Sequence, residues 1–193
     1  MLTEPAGTTC VNDEFALVRK LGQSQANTVF ANHWNTWITQ DDVNLMKSYG
    51  INSVRIPIGF WIIESTVNGD EFYPRFVVLV VAHSPELDPV NLFSGGLGYL
   101  RRGCAMLRAA GISVLLDLHA APGGQVAYNS FAGRCVSQAG FWNQNNFNRM
   151  NAASAELTRL IHNEPSNFGS VWGLQALNGA FQSTALRPSG RLM

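Results

Sequence analysis

The sequence predicts an α/β fold that is part of a TIM-type (β/α)8 barrel, and two observations carry that expectation. Helix-patterned and strand-patterned segments alternate from residue 39 to residue 178, the order that covers a parallel sheet with its crossover helices. Three apolar strand-like segments also bear a polar residue at or near their C-terminal ends, namely Arg55, His119 and Asn178, and that end is where parallel barrels place their sites. A chain of 193 residues is long enough for one core. It falls short of the roughly 250 residues of a typical complete barrel.

Each element follows from local pattern. Residues 1–32 read as irregular, with turn formers at Pro5, Gly7, Asn12, Asp13 and Gly22. Thr39-Gln40-Asp41-Asp42 resembles a capping box with Asp in place of Glu, and it opens a short helix through Val43, Leu45, Met46 and Tyr49. Gly50 then suits the left-handed position that follows a helix, and a strand is predicted over 51–58. Leu97, Leu100, Cys104, Leu107 and Ala110 share one helical face over 96–111, with Gly111 as the cap. The strand expected over 112–118 is almost wholly apolar, as a strand buried on both faces must be. A third helix is expected over roughly 145–162 on the stripe Met150, Ala153, Leu157, Leu160 and Ile161, and a third strand over 171–177. Two stretches do not fit. The segment 76–94 combines an apolar run, Phe76–Val81, with Ser84-Pro85-Glu86-Leu87-Asp88-Pro89. Residues 179–193 have no periodicity and read as a disordered tail.

Composition narrows the function. Apolar residues make up 46% of the chain and charged residues 13%, and the formal net charge is zero. No basic run points to nucleic acid or an anionic membrane, and no apolar stretch reaches the length of a membrane span. The three cysteines, Cys10, Cys104 and Cys135, have no metal-binding spacing; one pair could form, leaving one thiol. No metal and no cofactor are expected. The N-terminus has neither the basic nor the apolar region of a signal peptide.

The polar strand-end residues admit more than one reading. Arg55 is costly in an apolar strand unless paired; it pairs with a carboxylate inside the barrel or orients a catalytic acid. His119 is a core histidine held by a carbonyl, or a hydrogen-bond donor to a sugar hydroxyl or a nucleophile. Asp117 reads as structural. Asn178-Gly179, on pattern alone, reads as an ordinary turn dipeptide. Trp34, Trp37, Phe60, Trp61, Phe141 and Trp142 are expected in loops or at strand ends, mostly as packing, some as surfaces for sugar rings.

Four ordered motifs resemble fungal exo-β-1,3-glucanases of glycoside hydrolase family 5. They are His33-Trp34-Asn35-Thr36-Trp37-Ile38-Thr39, Val54-Arg55-Ile56-Pro57-Ile58-Gly59-Phe60-Trp61, Leu116-Asp117-Leu118-His119-Ala120-Ala121-Pro122-Gly123, and Val171–Asn178, which is similar to the segment ending in that family's Asn-Glu-Pro. Glu4-Pro5 is similar to the end of its first strand. The resemblance covers about residues 1–75 and 95–178 and implies barrel strands 2–4 with their helices. It further implies a retaining mechanism with two glutamates, a β-glucan oligosaccharide or polysaccharide as partner, and a place outside the cell or in the cell wall. Arg55, His119 and Asn178 match positions around the sugar site, Glu4 matches a sugar-contacting acid, and Asn129 falls in the sugar-binding loop.

The departures from that pattern are large. Gly179 occupies the acid/base position, and the strands that would carry the nucleophile are absent, so no catalytic residue is assigned and the chain is expected to be inactive. Residues 76–94 interrupt the family's path from Phe72-Tyr73-Pro74-Arg75 to Gly95-Gly96-Leu97. Degenerate codons for Arg75-Phe76-Val77 and Phe93-Ser94 can hold splice signals, so the stretch is compatible with a translated intron, and Gly179–Met193 with a second. Residues 1–178 are accordingly read as an incomplete glycoside hydrolase barrel. A glucan-binding pseudoenzyme is the alternative. A different barrel enzyme using Glu64 or Glu164 is the third reading. A short parallel sheet with two open edges is expected to self-associate.

Overall fold

The computed structural model describes residues 13–74 and 95–179. Glu4, Cys10, the atypical segment 76–94 and the tail beyond Gly179 lie outside the described residues.

Two helices open the described chain where an irregular stretch was expected. Helix α1 (Glu14–Leu21) is capped by Asp13, whose carboxylate accepts from the Ala16 N–H at 2.6 Å, and it buries Phe15 and Val18. Gly22, at φ +76°, breaks the chain direction before α2 (Gln23–Thr36) begins. Helix α2 eluded the pattern because it is polar on most sides and fully buries only Ala26; its position depends on contacts with α1 and α4 rather than on an apolar stripe. Trp34 and Trp37 therefore lie on or immediately after a helix rather than in a loop.

The remaining elements match the predicted periodicities closely. Helix α3 (Gln40–Ser48) has a complete capping box: Thr39 and Asp42 satisfy each other's backbone N–H groups. It leads through Gly50 into β1 (Ser53–Gly59). Helix α4 (Gly95–Ala109) buries Leu97, Leu100, Cys104 and Leu107 and passes into β2 (Ser113–Ala120). Helix α5 (Gln144–Asn163) buries Met150, Ala153, Leu157 and Leu160. The short α6 (Pro165–Phe168) joins it to β3 (Val171–Gln175).

The three strands form one parallel sheet in the order β1-β2-β3. This is a partial (β/α) barrel wall with helices on one side. Val114, Leu116 and Leu118 point from β2 into the helices and are fully buried. Leu115 and His119, on the opposite side, are only partly covered, so β2 is not sealed on both faces as its apolar sequence suggested. The exception on that second side is Asp117, which is fully buried. Strand β3 is two residues shorter than predicted: its last ladder pair joins Gln175 to Asp117, and residues 176–178 leave the sheet.

Cys104 is a free thiol packed in the core, where loss of hydration pushes its pKa up to about 12. Cys135 is disulfide-bonded. No helix among the described residues is long and apolar enough to cross a membrane.

Candidate active site

Period-two alternation puts Asp117 and His119 on the same face of β2, the face away from the helices. Arg55 reaches them from β1. Its Nη2 lies 2.6 Å from Asp117 Oδ2 in an ion pair and donates to Asn178 Oδ1 at 2.8 Å, and its Nε donates to Gln175 Oε1 at 3.2 Å. The His119 Nδ1 lies 2.6 Å from the same Asp117 oxygen, which requires that nitrogen to carry the proton. The other ring nitrogen, Nε2, then accepts, and the Asn178 Nδ2 stands 3.4 Å from it. Arg55, Asp117, His119 and Asn178 thus close a ring of polar contacts on one face of the sheet; Arg55 sits mid-strand in β1 rather than at its C-terminal end, and its side chain reaches up to β2 and to the chain just past β3.

This ring corrects two readings of the sequence. Asp117 is its centre, not a bystander: a fully buried carboxylate that fixes both the guanidinium and the imidazole tautomer. The available signal was its spacing of two from His119 on a strand, which puts both on one face. Asn178 is a member of the site rather than only half of a turn. Its Oδ1 receives Arg55, so the amide nitrogen must face His119. Of the two readings of Arg55, the structure shows the pairing with a buried carboxylate.

A loop after β2 encloses the ring. Phe131 sets its ring edge against His119, with centroids 5.4 Å apart. Gly179 follows Asn178 at φ +53°, and a Cβ there would lie 3.0 Å from Phe131 Cζ. The loop is anchored at its far end by Asp13, whose second oxygen accepts from the Cys135 N–H at 2.7 Å, and by the Phe15 N–H donating to the Gly133 carbonyl at 3.0 Å. Gly133 lies so close under Trp61 that a Cβ would overlap the indole.

The other candidates are placed elsewhere. Asn129 caps a 3-10 turn at Ser130–Ala132, accepting from the Phe131 N–H at 3.4 Å; it shapes the loop that bears Phe131 but has no hydrogen bond to the ring. Glu164 is held by a bidentate fork from Arg101, whose Nε donates to Oε2 at 2.7 Å and whose Nη2 donates to Oε1 at 2.8 Å. Glu64 begins an exposed 3-10 turn. Both belong to the helical side. Phe60 and Phe141 are buried packing, Trp142 donates its indole N–H to the Gln125 carbonyl at 3.1 Å, and Trp61 stacks on Tyr73 with centroids 4.3 Å apart. Trp37 is 69% exposed. It stands at the rim of a largely apolar groove of about 630 Å³ that runs beside β1 and also includes Trp34, Tyr99 and Glu14.

Glu14 was not singled out by pattern. Its carboxylate accepts from the Trp61 indole at 3.0 Å, and burial pushes its pKa up to about 7 against that hydrogen bond. A carboxyl that titrates near neutrality invites an acid–base role, but its partner is Trp61 and it has no hydrogen bond to Arg55, His119 or Asn178.

Chemically, the ring offers amide, guanidinium and imidazole groups to hydroxyls, as sugar recognition requires. Glycoside hydrolysis needs two free carboxyl groups facing the bond. Among the described residues the ring contains one, Asp117, and its Oδ2 is already shared by Arg55 and His119.

A parallel three-stranded wall with helices on one side defines the class: part of a TIM-type scaffold, with the polar ring on the sheet face away from the helices. Comparison with known proteins refines it. The chain is 38% identical over 171 residues to "Probable glucan endo-1,6-beta-glucosidase B" of Aspergillus terreus, a match covering 88% of this chain and 37% of that protein. It is 34% identical over 178 residues to "Glucan endo-1,6-beta-glucosidase B" of Emericella nidulans, covering 92% of the chain and 39% of the relative. It is 38% identical over 125 residues to "Probable glucan 1,3-beta-glucosidase A" of Aspergillus fumigatus, covering 65% of the chain and 25% of that protein. Its homologues are therefore fungal glucan-acting glycosidases, and it spans well under half of their length. No family model matches the sequence.

Proposed function

We propose that this chain carries the sugar-positioning part of a glycoside hydrolase family 5 glucan site, and that it binds β-glucan without cleaving it. The observation that carries the proposal is the ring of Arg55, Asp117, His119 and Asn178 on the sheet face away from the helices. The homologues' names supply the substrate class. Inactivity rests on Gly179, which offers no proton donor where the family resemblance puts an acid/base glutamate. Proteins named for β-1,6-glucan match 88–92% of the chain and one named for β-1,3-glucan matches 65%. That difference favours a β-1,6 linkage; the exo-β-1,3 specificity of the motifs is the second reading. The compartment that goes with either is extracellular or the cell wall. Self-association through the edges of β1 and β3 belongs to the same proposal.

Calorimetric titration of the purified 193-residue chain with gentiotriose and laminaritriose, beside an assay of reducing ends released from both polysaccharides, tests this. Binding of one trisaccharide, lost in Arg55→Ala, with no released sugar, is the expected result. Release of sugar defeats the claim of inactivity, and absence of binding to either sugar defeats the claim of a glucan site.

A further inference from the structure

Gln125 is fully buried, and the ring of site residues does not include it. Its amide nitrogen donates to two carbonyls, that of His119 at 2.7 Å and that of Asn178 at 3.1 Å, while its oxygen accepts from the Ala121 N–H at 3.1 Å. Two acceptors and one donor around a single side chain leave one orientation of the amide. Its own carbonyl is held in turn by the Trp142 indole. The backbone contacts matter because β3 has left the ladder by this point. After Gln175, the Asn178 N–H reaches the Leu118 carbonyl at 3.3 Å, and the Asn178 carbonyl is held by Gln125.

We infer that Gln125 is the positioning residue that sets Asn178 against His119 and aims the peptide leading into residue 179. It does so by bridging the ends of two chain segments that, past the β3 ladder, share one long backbone hydrogen bond. The inference deepens the proposed glucan site and rests on that reading only for its binding arm. Glutamate at this position is the same size but has no N–H pair: protonated it can donate to one of the two carbonyls and ionised to neither, so at least one strand end loses its donor.

The test uses nitrogen-15 NMR of the whole chain. In Gln125→Glu, the Asn178 side-chain amide and the His119 ring nitrogens should shift, with the Nδ1-protonated tautomer losing population, and gentiotriose or laminaritriose affinity should fall at least tenfold. In Trp142→Phe, which loosens the same loop without touching the two-carbonyl bridge, those signals should stay near their wild-type positions. In the wild type, the Gln125 side-chain amide protons should exchange with solvent at least a hundredfold more slowly than those of an exposed glutamine, a measurement that stands even if the glutamate variant does not fold. Rapid exchange of those protons overturns the inference. So do unmoved Asn178 and His119 signals in a folded Gln125→Glu chain. If the wild type binds neither sugar while the variant's signals move, the positioning role holds and the glucan reading fails.

Discussion

Two arginine–carboxylate pairs in this chain are built alike and finished differently. Arg149 of α5 donates to Glu71, to the Thr66 carbonyl at 2.8 Å and to Asn146 Oδ1 at 3.1 Å, and Glu71 also accepts from the Asn68 N–H at 2.9 Å. Both side chains are nearly covered, at 12% and 8% exposure, and the guanidinium packs over Phe60. Arg55 and Asp117 form the other pair. There the carboxylate is fully buried, the arginine is 41% exposed, and Asp117 Oδ1 has no partner among the described residues. A pair whose groups are well saturated is a staple between helix and loop. A pair with spare hydrogen-bonding capacity, open to solvent at one end, has groups left over for a ligand, as the proposed site needs.

The largest effect should come from breaking the staple. Glu71→Gln leaves the Arg149 charge covered and uncompensated, and removal of one partner from a buried ion pair costs about 3–5 kcal/mol. Urea unfolding should show that loss, while the His119 and Asn178 NMR signals and any sugar affinity stay as in the wild type. A shift of the site signals in this variant would break the division between the two pairs.

Glu14 is a third kind of carboxylate, less covered than Glu71 and bonded to a neutral indole. Its pKa rises from 4.5 in the unfolded chain to about 7 in the fold, so the native state holds the proton more tightly. Its contribution is most favourable below pH 4.5, declines between pH 4.5 and about 7, and is constant above that. Glu14→Gln should therefore match the wild type near pH 4 and exceed it at pH 8. Each pKa unit corresponds to about 1.4 kcal/mol, and the partial exposure of Glu14 brings the expected gain down to about 1–3 kcal/mol. Denaturation at the two pH values, compared between the two proteins, checks both sign and size; a variant less stable at pH 8 would overturn the assignment.

Asp117→Asn should cost less stability than Glu71→Gln, about 1–2 kcal/mol, because Arg55 can turn to water. Its functional effect should be the greater. Asparagine cannot satisfy both Arg55 and the His119 Nδ1–H as an acceptor of equal strength, so the ring tautomer should become mixed and sugar binding should weaken about tenfold. Equal stability losses for the two variants, with unchanged His119 signals in Asp117→Asn, would erase the distinction.

What the sequence revealed follows the same line. Helices α3, α4 and α5 and strands β1 and β2 were legible because their apolar spacing, caps and closing glycines agree with one another. Arg55 and His119 were legible because a polar group in an apolar strand demands a reason. Helix α2 was not, since its place comes from neighbours that no local pattern records. Asn178 was ambiguous for a physical reason: its side chain has a role only where the chain leaves the β3 ladder, and the ladder's end is set by long-range contacts. Gln125 gave no local signal, because its partners lie six and fifty-three residues away.

The smallest expected effect concerns the carboxylate least like the first two. Asp42 is half-covered at the start of α3, and its hydrogen bond from the Thr39 hydroxyl, aided by the Thr39 backbone N–H, holds its pKa below the usual carboxylate value. Here the partner is a helix end rather than an arginine. Thr39→Ala removes the side-chain oxygen that accepts from the Asp42 N–H at 3.4 Å, and loss of such a cap costs about 1 kcal/mol. The loss should appear as faster amide exchange in the first turn of α3, and the carboxyl pKa of Asp42 should rise toward 3.8. Signals of Arg55, His119 and Asn178 should not move. If they do, α3 holds β1 more tightly against the site than the Arg55–Asp117 pair alone requires, and the boundary between staple and site would have to be drawn one layer further out.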